Sequence, residues 1–401
     1  MLPTVALTRY ALERLLPLCR DRFADAGLGG FHERLDAAEQ PLPMGYKRSM
    51  VQARQLYVLA HAALAGERSG QTAAERGYDF LVRHFWDARH GGWFFKAQPD
   101  GQPLDGSKDF YGHAFVLFGL AYAHAAFAAP KAISLAQETW GLMRDRLAMP
   151  ALPDGGWGGL AEGAAADWAL NGAPRRQNPH MHLLEALLAL HEFTGDETWL
   201  TEAGIVVGLF RSRFYDATTH TLGEFFTQDW RPDPATGRIV EPGHHFEWAW
   251  LLDRYVRQGG DATVLRLADA LFDKAVAHGF LADGGIMDQM DPQGTPLLRT
   301  RRIWPVAEAI KAALAQARRH SGTPAGDAAA TLAERLASHL NAVFLDPASG
   351  RWIETQDETG APTMRDLPGS TPYHLFLAAM EAADGVTGRQ PSGGDLSTMR
   401  P

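Results

Sequence analysis

The chain has 401 residues, 46% of them hydrophobic, and a formal net charge of -9 at pH 7. Its 38 lysines and arginines are scattered rather than gathered into a basic stripe, so we expect neither nucleic acid nor an anionic membrane surface as a partner. The single cysteine, Cys19, excludes an intrachain disulfide and fits a reducing compartment.

The first 22 residues mix charged side chains into an apolar pattern, whereas a signal peptide needs an uninterrupted apolar segment. We find no apolar run of about 18 residues further along the chain, the length at which a membrane-spanning helix is considered. We therefore expect a cytoplasmic protein that is not inserted in a membrane.

Six loops of similar sequence recur along the chain at intervals of about 64 residues. Each combines aspartate and glycine with a short apolar segment, which predicts a turn leading into an extended stretch. The glycine is expected to supply a backbone conformation that other residues resist. The anchoring glycines are Gly30, Gly92, Gly156, Gly223, Gly285 and Gly350.

Between the loops, apolar residues recur at three- and four-residue spacing, for example in residues 52–63 and 178–193. Each interval holds two helices, so six repeats predict twelve. Residues 114–121 are apolar on every face, which favours closure into an (α/α)6 barrel over an open solenoid. We expect one all-α domain over residues 1–389 and a disordered tail over residues 390–401, which is rich in Ser, Gly and Pro.

Polar and aromatic residues stand near the starts of the six helices that follow these loops. In a closed barrel, corresponding positions of the repeats face one another around the axis, so this spacing predicts one funnel-shaped site. The candidates are Arg54, Tyr111, Asn178, His182, His244, Glu247, Trp304, Glu308 and His374.

Several of these candidates also have ordinary structural interpretations. Trp304 and Tyr111 fit core packing as well as a sugar platform. Buried in an apolar helix, Arg54 needs a partner, which a structural carboxylate could supply. Because Glu247 follows His244 by three residues on a helix, we expect its carboxylate to orient that imidazole and raise its basicity.

The sequence shows no pattern typical of a metal or nucleotide cofactor. His180 and His182 are two residues apart on a helix and point in different directions, as do the adjacent His244 and His245, so neither pair forms a chelating site. A dinucleotide fingerprint, a phosphate loop and a nucleophile elbow are also missing from the sequence. We therefore expect no metal and no cofactor.

Seven short segments, taken in order, resemble the N-acylglucosamine 2-epimerase superfamily, which includes D-mannose isomerases, sulfoquinovose/mannose aldose–ketose isomerases and cellobiose 2-epimerases. The segments are ARQLY (53–57), GGWFF (91–95), KDFYGHAF (108–115), NPHMHLLEA (178–186), EPGHHFEWAWLL (241–252), WPVAE (304–308) and TPYHLF (371–376). The resemblance implies an (α/α)6 barrel and two essential histidines, His244 and His374. It also implies that the other seven candidates line a sugar site.

The chemistry implied by the resemblance is proton transfer at C2 of an open-chain aldose. We expect His374 to remove the C2 proton, giving a cis-enediol(ate), while Arg54 stabilises the charge on oxygen. His244 is expected to assist ring opening and to act as the partner acid/base. Proton return to C1 would give a ketose, and delivery to the opposite face of C2 would give the 2-epimer.

Among these outcomes we favour interconversion of D-mannose and D-fructose, because residues 178–186 and 241–252 are most similar to the bacterial mannose isomerase branch. A 2-epimerase of the glucose/mannose, N-acylglucosamine or cellobiose type is the main alternative, and a sulfoquinovose-type isomerase is a further one. A glycoside hydrolase could use Glu247 and Glu308 as its carboxylate pair. A non-catalytic binding protein would not need the histidines. We expect a monosaccharide as the ligand, and either a monomer or a homodimer.

Overall fold

The computed structural model describes residues 1–387. The tail expected to be disordered, residues 390–401, lies outside that range. Within it the chain forms twelve helical rods, numbered in chain order: α1 (Pro3–Tyr10), α2 (Ser49–Leu64), α3 (Gln71–Phe85), α4 (Phe110–Phe127), α5 (Ala132–Arg146), α6 (Asn178–Thr194), α7 (Glu197–Leu209), α8 (Pro242–Arg257), α9 (Leu265–His278), α10 (Trp304–Arg319), α11 (Pro324–His339) and α12 (Pro372–Thr387).

Short helical turns extend several rods. The first rod continues beyond α1 through a π-helical turn at Ala11–Leu15, one α-helical turn at Leu16–Leu18 and a second π-helical turn at Cys19–Phe23. Similar π-helical turns, Phe210–Phe214 and Leu340–Phe344, follow α7 and α11, and 3-10 turns at Arg68–Gly70 and Ala262–Val264 precede α3 and α9.

The even-numbered helices form an inner ring and the odd-numbered helices pack around it. Each inner helix contacts the next, from α2 through α12, and α12 returns to contact α2. Each outer helix packs mainly on the inner helix that precedes it in the chain, and α1 packs on α12. The described chain is therefore a closed ring of six helical hairpins, which confirms the predicted (α/α)6 barrel.

Strands of two or three residues lie in the loops at one end of this ring. They are β1 (Arg34–Leu35), β2 (Lys47–Arg48), β3 (Lys96–Ala97), β4 (Pro103–Asp105), β5 (Lys108–Asp109), β6 (Gly163–Ala164), β7 (Arg175–Arg176), β8 (Tyr215–Asp216), β9 (Thr221–Leu222), β10 (Phe225–Phe226), β11 (Gln289–Met290), β12 (Pro296–Leu298), β13 (Arg301–Arg302), β14 (Thr355–Gln356) and β15 (Leu367–Pro368).

These strands join neighbouring repeats. The antiparallel pairs β2–β3, β5–β6, β7–β10 and β13–β14 each link the residues before one inner helix to the loop of the next repeat. A bridge from Val240 to Met290 does the same between the fourth and fifth repeats. The pair β15–β1, with Arg34 opposite Pro368, joins the last repeat to the first and closes the loop layer.

Each repeat loop is a tight turn closed by a backbone bridge, as predicted. The bridges pair Ala24 with Phe31 in the first repeat and Ala148 with Leu160 in the third. Gly30 precedes its bridge with φ 67°, where an added Cβ would lie 2.5 Å from the Phe80 ring. A side chain at this position would be strained and would clash, which explains the glycine.

Three of the predicted anchors do not occupy equivalent places in the structure. The residue before the bridging position is Gly159 in the third repeat, Thr221 in the fourth and Arg351 in the sixth, rather than Gly156, Gly223 and Gly350. Because the third loop is longer than the others, the sequence comparison selected Gly156, which lies inside the turn, instead of Gly159.

Helix α4 corrects one expectation from the sequence. Phe110–Phe127 is long and apolar enough to cross a membrane by length and composition, although no such run was predicted. In the structure 72% of this segment is buried inside the protein, between α2 and α6. Barrel packing thus accounts for its apolar surface.

Local sequence signals start the inner helices at the loop layer. Proline stands in the first turn of α6, α8 and α10, where its missing N–H removes no helical hydrogen bond. At the start of α4, the Asp109 carboxylate accepts a hydrogen bond from the Gly112 N–H at 2.7 Å. These starts place the first turns of the inner helices around one opening.

Candidate active site

A cavity of about 260 Å³ opens among the loops at the N-terminal ends of the inner helices. Every inner helix contributes at least one predicted site residue to its wall. These residues are Arg54, Tyr111, Asn178, His182, His244, Glu247, Trp304 and His374. The remaining candidate, Glu308, does not line the cavity as expected, because it is fully buried behind His374.

The buried carboxylate of Glu308 holds the ring of His374 in one orientation. Its Nδ1 lies 2.7 Å from Oε1 of Glu308, which accepts the ring N–H. This contact leaves Nε2 as the nitrogen available to the cavity. Burial, together with the positive charges of Arg54 and Lys311, holds the pKa of His374 well below its usual value. The ring is therefore neutral at neutral pH, with a lone pair on Nε2.

His244 has the opposite environment. Its Nδ1 lies 2.9 Å from Oε2 of Glu224, and the carboxylate of Glu241 is 3.9 Å away. Burial opposes protonation, but these carboxylates outweigh it and raise the pKa of His244 to about 9. The ring is therefore an imidazolium at neutral pH.

The partner of His244 differs from the one expected. Glu224, the loop residue directly before β10, orients the ring, whereas Glu247 was predicted to do so from the same helix. Three-residue spacing brings two side chains to one helix face. The carboxylate of Glu224 nevertheless lies within hydrogen-bond distance of Nδ1 of His244 and is its direct partner. Glu247 instead lies 3.8 Å from Nδ1 of His182.

Asn178 completes the surroundings of His244. Its side-chain amide lies 3.0 Å from Nε2 of His244. The Asn178 Oδ1 has no other partner among the described residues, and an imidazolium needs an acceptor at Nε2. Orienting Oδ1 toward the ring satisfies both groups.

Trp304 contacts both histidines. Its ring centroid lies 5.0 Å from that of His244 and 5.6 Å from that of His374, at interplanar angles of 35° and 36°. The indole face is also an attractive surface for the His244 imidazolium. Trp304 thus sets the spacing of the two imidazoles in addition to lining the cavity.

Arg54 has polar and aromatic partners rather than a carboxylate. Its Nη2 donates to the Tyr111 hydroxyl at 2.6 Å, and its Nη1 donates to the Ser370 carbonyl at 3.3 Å. The guanidinium also lies 4.0 Å from the centroid of the Phe115 ring. Within residues 1–387 it forms no ion pair, so its charge is available to an oxygen anion in the cavity.

His182 presents a neutral ring to the same cavity. Its Nδ1 donates to Oε2 of Glu185 at 3.2 Å, and the Tyr373 hydroxyl donates to the same oxygen. Burial lowers the pKa of His182 to about 4. Nε2 is thus left as a hydrogen-bond acceptor for a ligand hydroxyl.

Three other histidines of the inner helices are structural. Nε2 of His113, His180 and His245 accepts a hydrogen bond from the backbone N–H of the bridging loop residue, at 3.0, 3.1 and 3.2 Å. In the first repeat the Gln52 carbonyl oxygen does the same for Phe31 at 2.7 Å. His180 and His182 therefore point in different directions, as do His244 and His245.

The loops before the inner helices, together with their short strands, supply wall residues that were not predicted. They are Arg176, Glu224, Phe225, Glu241, Arg302, Glu354, Ser370 and Thr371. A usable signal was present in the basic pairs at residues 47–48, 175–176 and 301–302, each just before an inner helix. The first member of each pair is buried under the loops, and the second is partly exposed and pairs with a loop carboxylate.

Two groups of side chains have donor atoms close enough to hold a metal ion. They are His182, Glu185 and Glu247, and Glu247, Glu308 and His374, with donor atoms within 4.8 Å of one another in each group. Protein groups already contact three of these oxygens: Oε2 of Glu185 accepts from His182 and Tyr373, and the two oxygens of Glu308 face His374 and Lys311. The donor sets fit internal ion pairs and hydrogen bonds better than a bound cation.

Comparison with known proteins agrees with this arrangement. Residues 29–378 match the family model of N-acylglucosamine 2-epimerase (GlcNAc 2-epimerase). A Rhizobium meliloti protein named mannose-6-phosphate isomerase is 34% identical over 395 residues, which cover 94% of this chain and 96% of that protein. A D-mannose isomerase from Thermobifida fusca is 31% identical over 371 residues, 86% of each chain.

A solved structure shares the fold. The cellobiose 2-epimerase from Spirochaeta thermophila superimposes with a TM-score of 0.82 at 25% identity, covering 95% of this chain and 96% of that one. The family match, the relatives and the barrel all lead to the same assignment. The chain belongs to the N-acylglucosamine 2-epimerase family and is a sugar isomerase or epimerase.

Proposed function

We propose that this enzyme interconverts D-mannose and D-fructose, with His374 as the base and His244 as the acid. The observation that carries the proposal is the opposite environment of the two histidines in one cavity. A pair of titratable groups whose surroundings push their pKa values apart is suited to divide the roles of base and acid. Here His374 is neutral and His244 is charged over the same pH range.

The proposed reaction begins with ring opening. His244 turns from Asn178 and donates its Nε2 proton to the ring oxygen of the pyranose. The bond from C1 to the ring oxygen breaks, and the proton of the C1 hydroxyl passes to the same nitrogen, which gives the open-chain aldehyde and restores the imidazolium. Nε2 of His374 then removes the proton from C2. The electrons of the broken C2–H bond form the C1=C2 bond of a cis-enediolate, and the negative charge moves to O1.

Arg54 is placed to stabilise that charge, because its guanidinium forms no ion pair within residues 1–387. His374, now protonated, returns the proton to C1. The hydroxyl proton on O2 is lost and O1 gains one, so the C2 carbonyl of fructose forms without net change in protons.

Isomerisation is favoured over 2-epimerisation by the number of free ring nitrogens. Nε2 of His374 is left free by its contact with Glu308, whereas both ring nitrogens of His244 have protein partners, Glu224 and Asn178. A single free nitrogen suits removal and return of a proton on one face. Epimerisation needs a proton delivered to the opposite face of C2, which would require a second group besides His374 to act at that carbon.

The charge of the wall favours a neutral sugar over a phosphorylated or sulfonated one. Arg176 pairs with Glu162, and Arg302 pairs with Glu241 and Asp288. The cavity also exposes carboxyl groups, which would repel an added anion. They are Glu224 and Glu241, which both line the cavity. A relative bears the name mannose-6-phosphate isomerase, but this wall is suited to the unphosphorylated hexose.

The cavity size supports a monosaccharide. Its volume of about 260 Å³ lies below the usual range of about 300–1,000 Å³ for pockets that take drug-sized ligands. The hydrolase alternative loses support, because Glu308 lies behind His374 and cannot stand across a scissile bond from Glu247.

A panel of sugars tests the proposal. The enzyme is incubated with D-mannose, mannose 6-phosphate, N-acetylmannosamine and cellobiose, and the products are separated by chromatography. We expect fructose from mannose, with kcat/KM for mannose 6-phosphate lower by about 100-fold, because the wall carboxylates would repel the phosphate and a like-charge contact costs several kcal/mol. His278→Gln, which changes an exposed histidine, should behave as the wild type.

Other products would contradict the proposal in distinct ways. Glucose formed from mannose before fructose would show a 2-epimerase. Glucose released from cellobiose would show a hydrolase. Tight sugar binding without any conversion would show a binding protein.

A further inference from the structure

A buried lysine lies behind the proposed base and outside the cavity wall. Lys311 follows Glu308 by three residues on α10, and both side chains are fully buried. Its Nζ is 2.6 Å from Oε2 of Glu308 and 3.9 Å from the centroid of the Trp250 ring. These two charged atoms have no other hydrogen-bond partner among residues 1–387.

The pair is connected directly to His374. Glu308 uses Oε1 to accept the Nδ1–H of His374 at 2.7 Å and presents Oε2 to Lys311. Lys311 itself does not line the cavity. Any effect of Lys311 on the reaction must therefore act through its ion pair with Glu308 or through the electric field of the lysine charge.

Several titratable groups face this pair from the surrounding helices. They are His182 and Glu185 on α6, Glu247 on α8, and Tyr373, His374 and Glu381 on α12. Burial and the neighbouring carboxylate of Glu308 raise the pKa of Glu247 well above its usual value. Burial also raises the pKa of Glu308, and the charge of Lys311 opposes that rise.

We propose that Lys311 is a positioning residue that keeps Glu308 ionised and thereby fixes the proton of His374 on Nδ1. The proposal rests on the function proposed above, in which Nε2 of His374 is the base. An ionised Glu308 can only accept a hydrogen bond, so the ring must carry its proton on Nδ1. Nε2 then keeps the lone pair that removes the C2 proton.

Without the lysine the hydrogen bond would reverse. A buried Glu308 beside the carboxylate of Glu185 would gain a proton at neutral pH, because burial and that neighbouring charge both disfavour its own charge. A protonated Glu308 would donate to Nδ1 and place the ring proton on Nε2. The base would then be blocked although every group that touches the sugar is unchanged.

The test compares Lys311→Met with the double variant Glu308→Gln/Lys311→Met over pH 6 to 9. For Lys311→Met we expect kcat on D-mannose to fall about 100-fold at pH 7, the low end of general-base contributions, with a smaller change in KM. The ratio of its kcat to that of the wild type should rise with pH, because Glu308 ionises again and restores the tautomer. For the double variant the ratio should not change with pH, because no acid remains at position 308.

Two results would overturn the proposal. One is a Lys311→Met variant whose kcat ratio is flat across pH, as loss of packing alone would produce. The other is a variant with wild-type kcat at pH 7.

A spectroscopic measurement needs no turnover, and its wild-type arm does not depend on the folding of Lys311→Met. Nitrogen-15 NMR of histidine-labelled wild-type protein reports which ring nitrogen of His374 carries the proton, and His374→Gln identifies its signals. We expect the Nδ1–H form throughout pH 6 to 9 and a shift toward Nε2–H in Lys311→Met. An Nε2–H form in the wild type would contradict the role of Lys311, even if the sugar panel shows no conversion and the proposed function fails by itself.

Discussion

Carboxylates determine the charge of His244, whereas burial and two nearby cations keep His374 neutral although the carboxylate of Glu308 contacts its Nδ1. Glu224 and Glu241 stabilise the charged ring of His244, whereas burial, Arg54 and Lys311 keep His374 neutral. For a reaction that needs a neutral base and a charged acid, kcat/KM should therefore be constant over the pH range in which His374 is neutral and His244 is charged. We expect kcat/KM to fall as His244 loses its proton near pH 9.

Replacing Glu224 by Gln should move that alkaline limb. Burial disfavours the charge of His244, and removal of its closest carboxylate leaves only more distant ones to oppose burial. The limb in kcat/KM should shift to lower pH by about one unit or more. The measurement is a pH profile of mannose isomerisation for Glu224→Gln, with the exposed Glu13→Gln as a control. An unmoved limb would show that another group titrates there.

Arg54 should matter to the chemical step more than to binding. Its guanidinium is held by Tyr111 and Ser370 but is not neutralised by a carboxylate within residues 1–387. We expect Arg54→Met to lower kcat by about 100- to 1,000-fold, as removal of one oxyanion-stabilising donor does. Steady-state kinetics at saturating mannose measures this, with the exposed Arg299→Met as a control. A raised KM with unchanged kcat would instead assign Arg54 to ground-state binding.

At the scale of the element, the inner helix carries two kinds of polar residue. Residues such as His182 and His244 face the cavity, whereas His113 and His180 tie the helix to its own loop. Both kinds are histidines near a helix start, so residue type alone does not separate them. What separates them is their place on the helix turn relative to the loop N–H.

The hydrogen bond between an inner helix and its own loop can be tested in the second repeat, where His113 accepts from the Trp93 N–H. His113→Ala should lower the free energy of unfolding by about 1–3 kcal/mol, because the buried Trp93 N–H loses its acceptor. His113→Gln should lose less, since Gln52 fills the equivalent role in the first repeat. Chemical denaturation of both variants measures the difference. Equal losses would show that the hydrogen bond does not contribute and that only the ring volume matters.

Helices and loops were predictable from the sequence to different degrees. The period of the loops and the apolar spacing between them predict twelve helices and a closed barrel, because both patterns depend on local residue types. The strands escaped prediction because two residues are too few to show an alternating pattern. Glu224 and Lys311 were missed for a related reason: each acts on a site histidine through a contact that sequence spacing does not reveal.

At the scale of the whole molecule, the barrel buries several uncharged histidines. Burial lowers the pKa of His61, His180 and His245 to about 3 and that of His113 and His182 to about 4. In the unfolded chain a histidine takes up its proton near pH 6.5. Between these values the unfolded state binds more protons than the folded state, so stability is lost as pH falls below about 6.5.

We therefore expect the free energy of unfolding to fall from pH 7 to pH 5, by up to about 1.4 kcal/mol per pH unit for each such histidine. Denaturation curves at a series of pH values measure this slope. His113→Gln removes one titrating group from the unfolded chain and should reduce the slope. A slope unchanged in that variant would show that other groups cause the loss.

The central claim is that His374 moves a proton between C2 and C1 of a neutral hexose. Incubating the enzyme with D-mannose in D2O and following the sugars by NMR tests it most directly, with His374→Gln and the control His278→Gln alongside. We predict fructose carrying deuterium at C1 from the wild type and the control, and a rate at least about 1,000-fold lower from His374→Gln. Glucose deuterated at C2 appearing ahead of fructose, or a His374→Gln variant as fast as the wild type, would contradict the account.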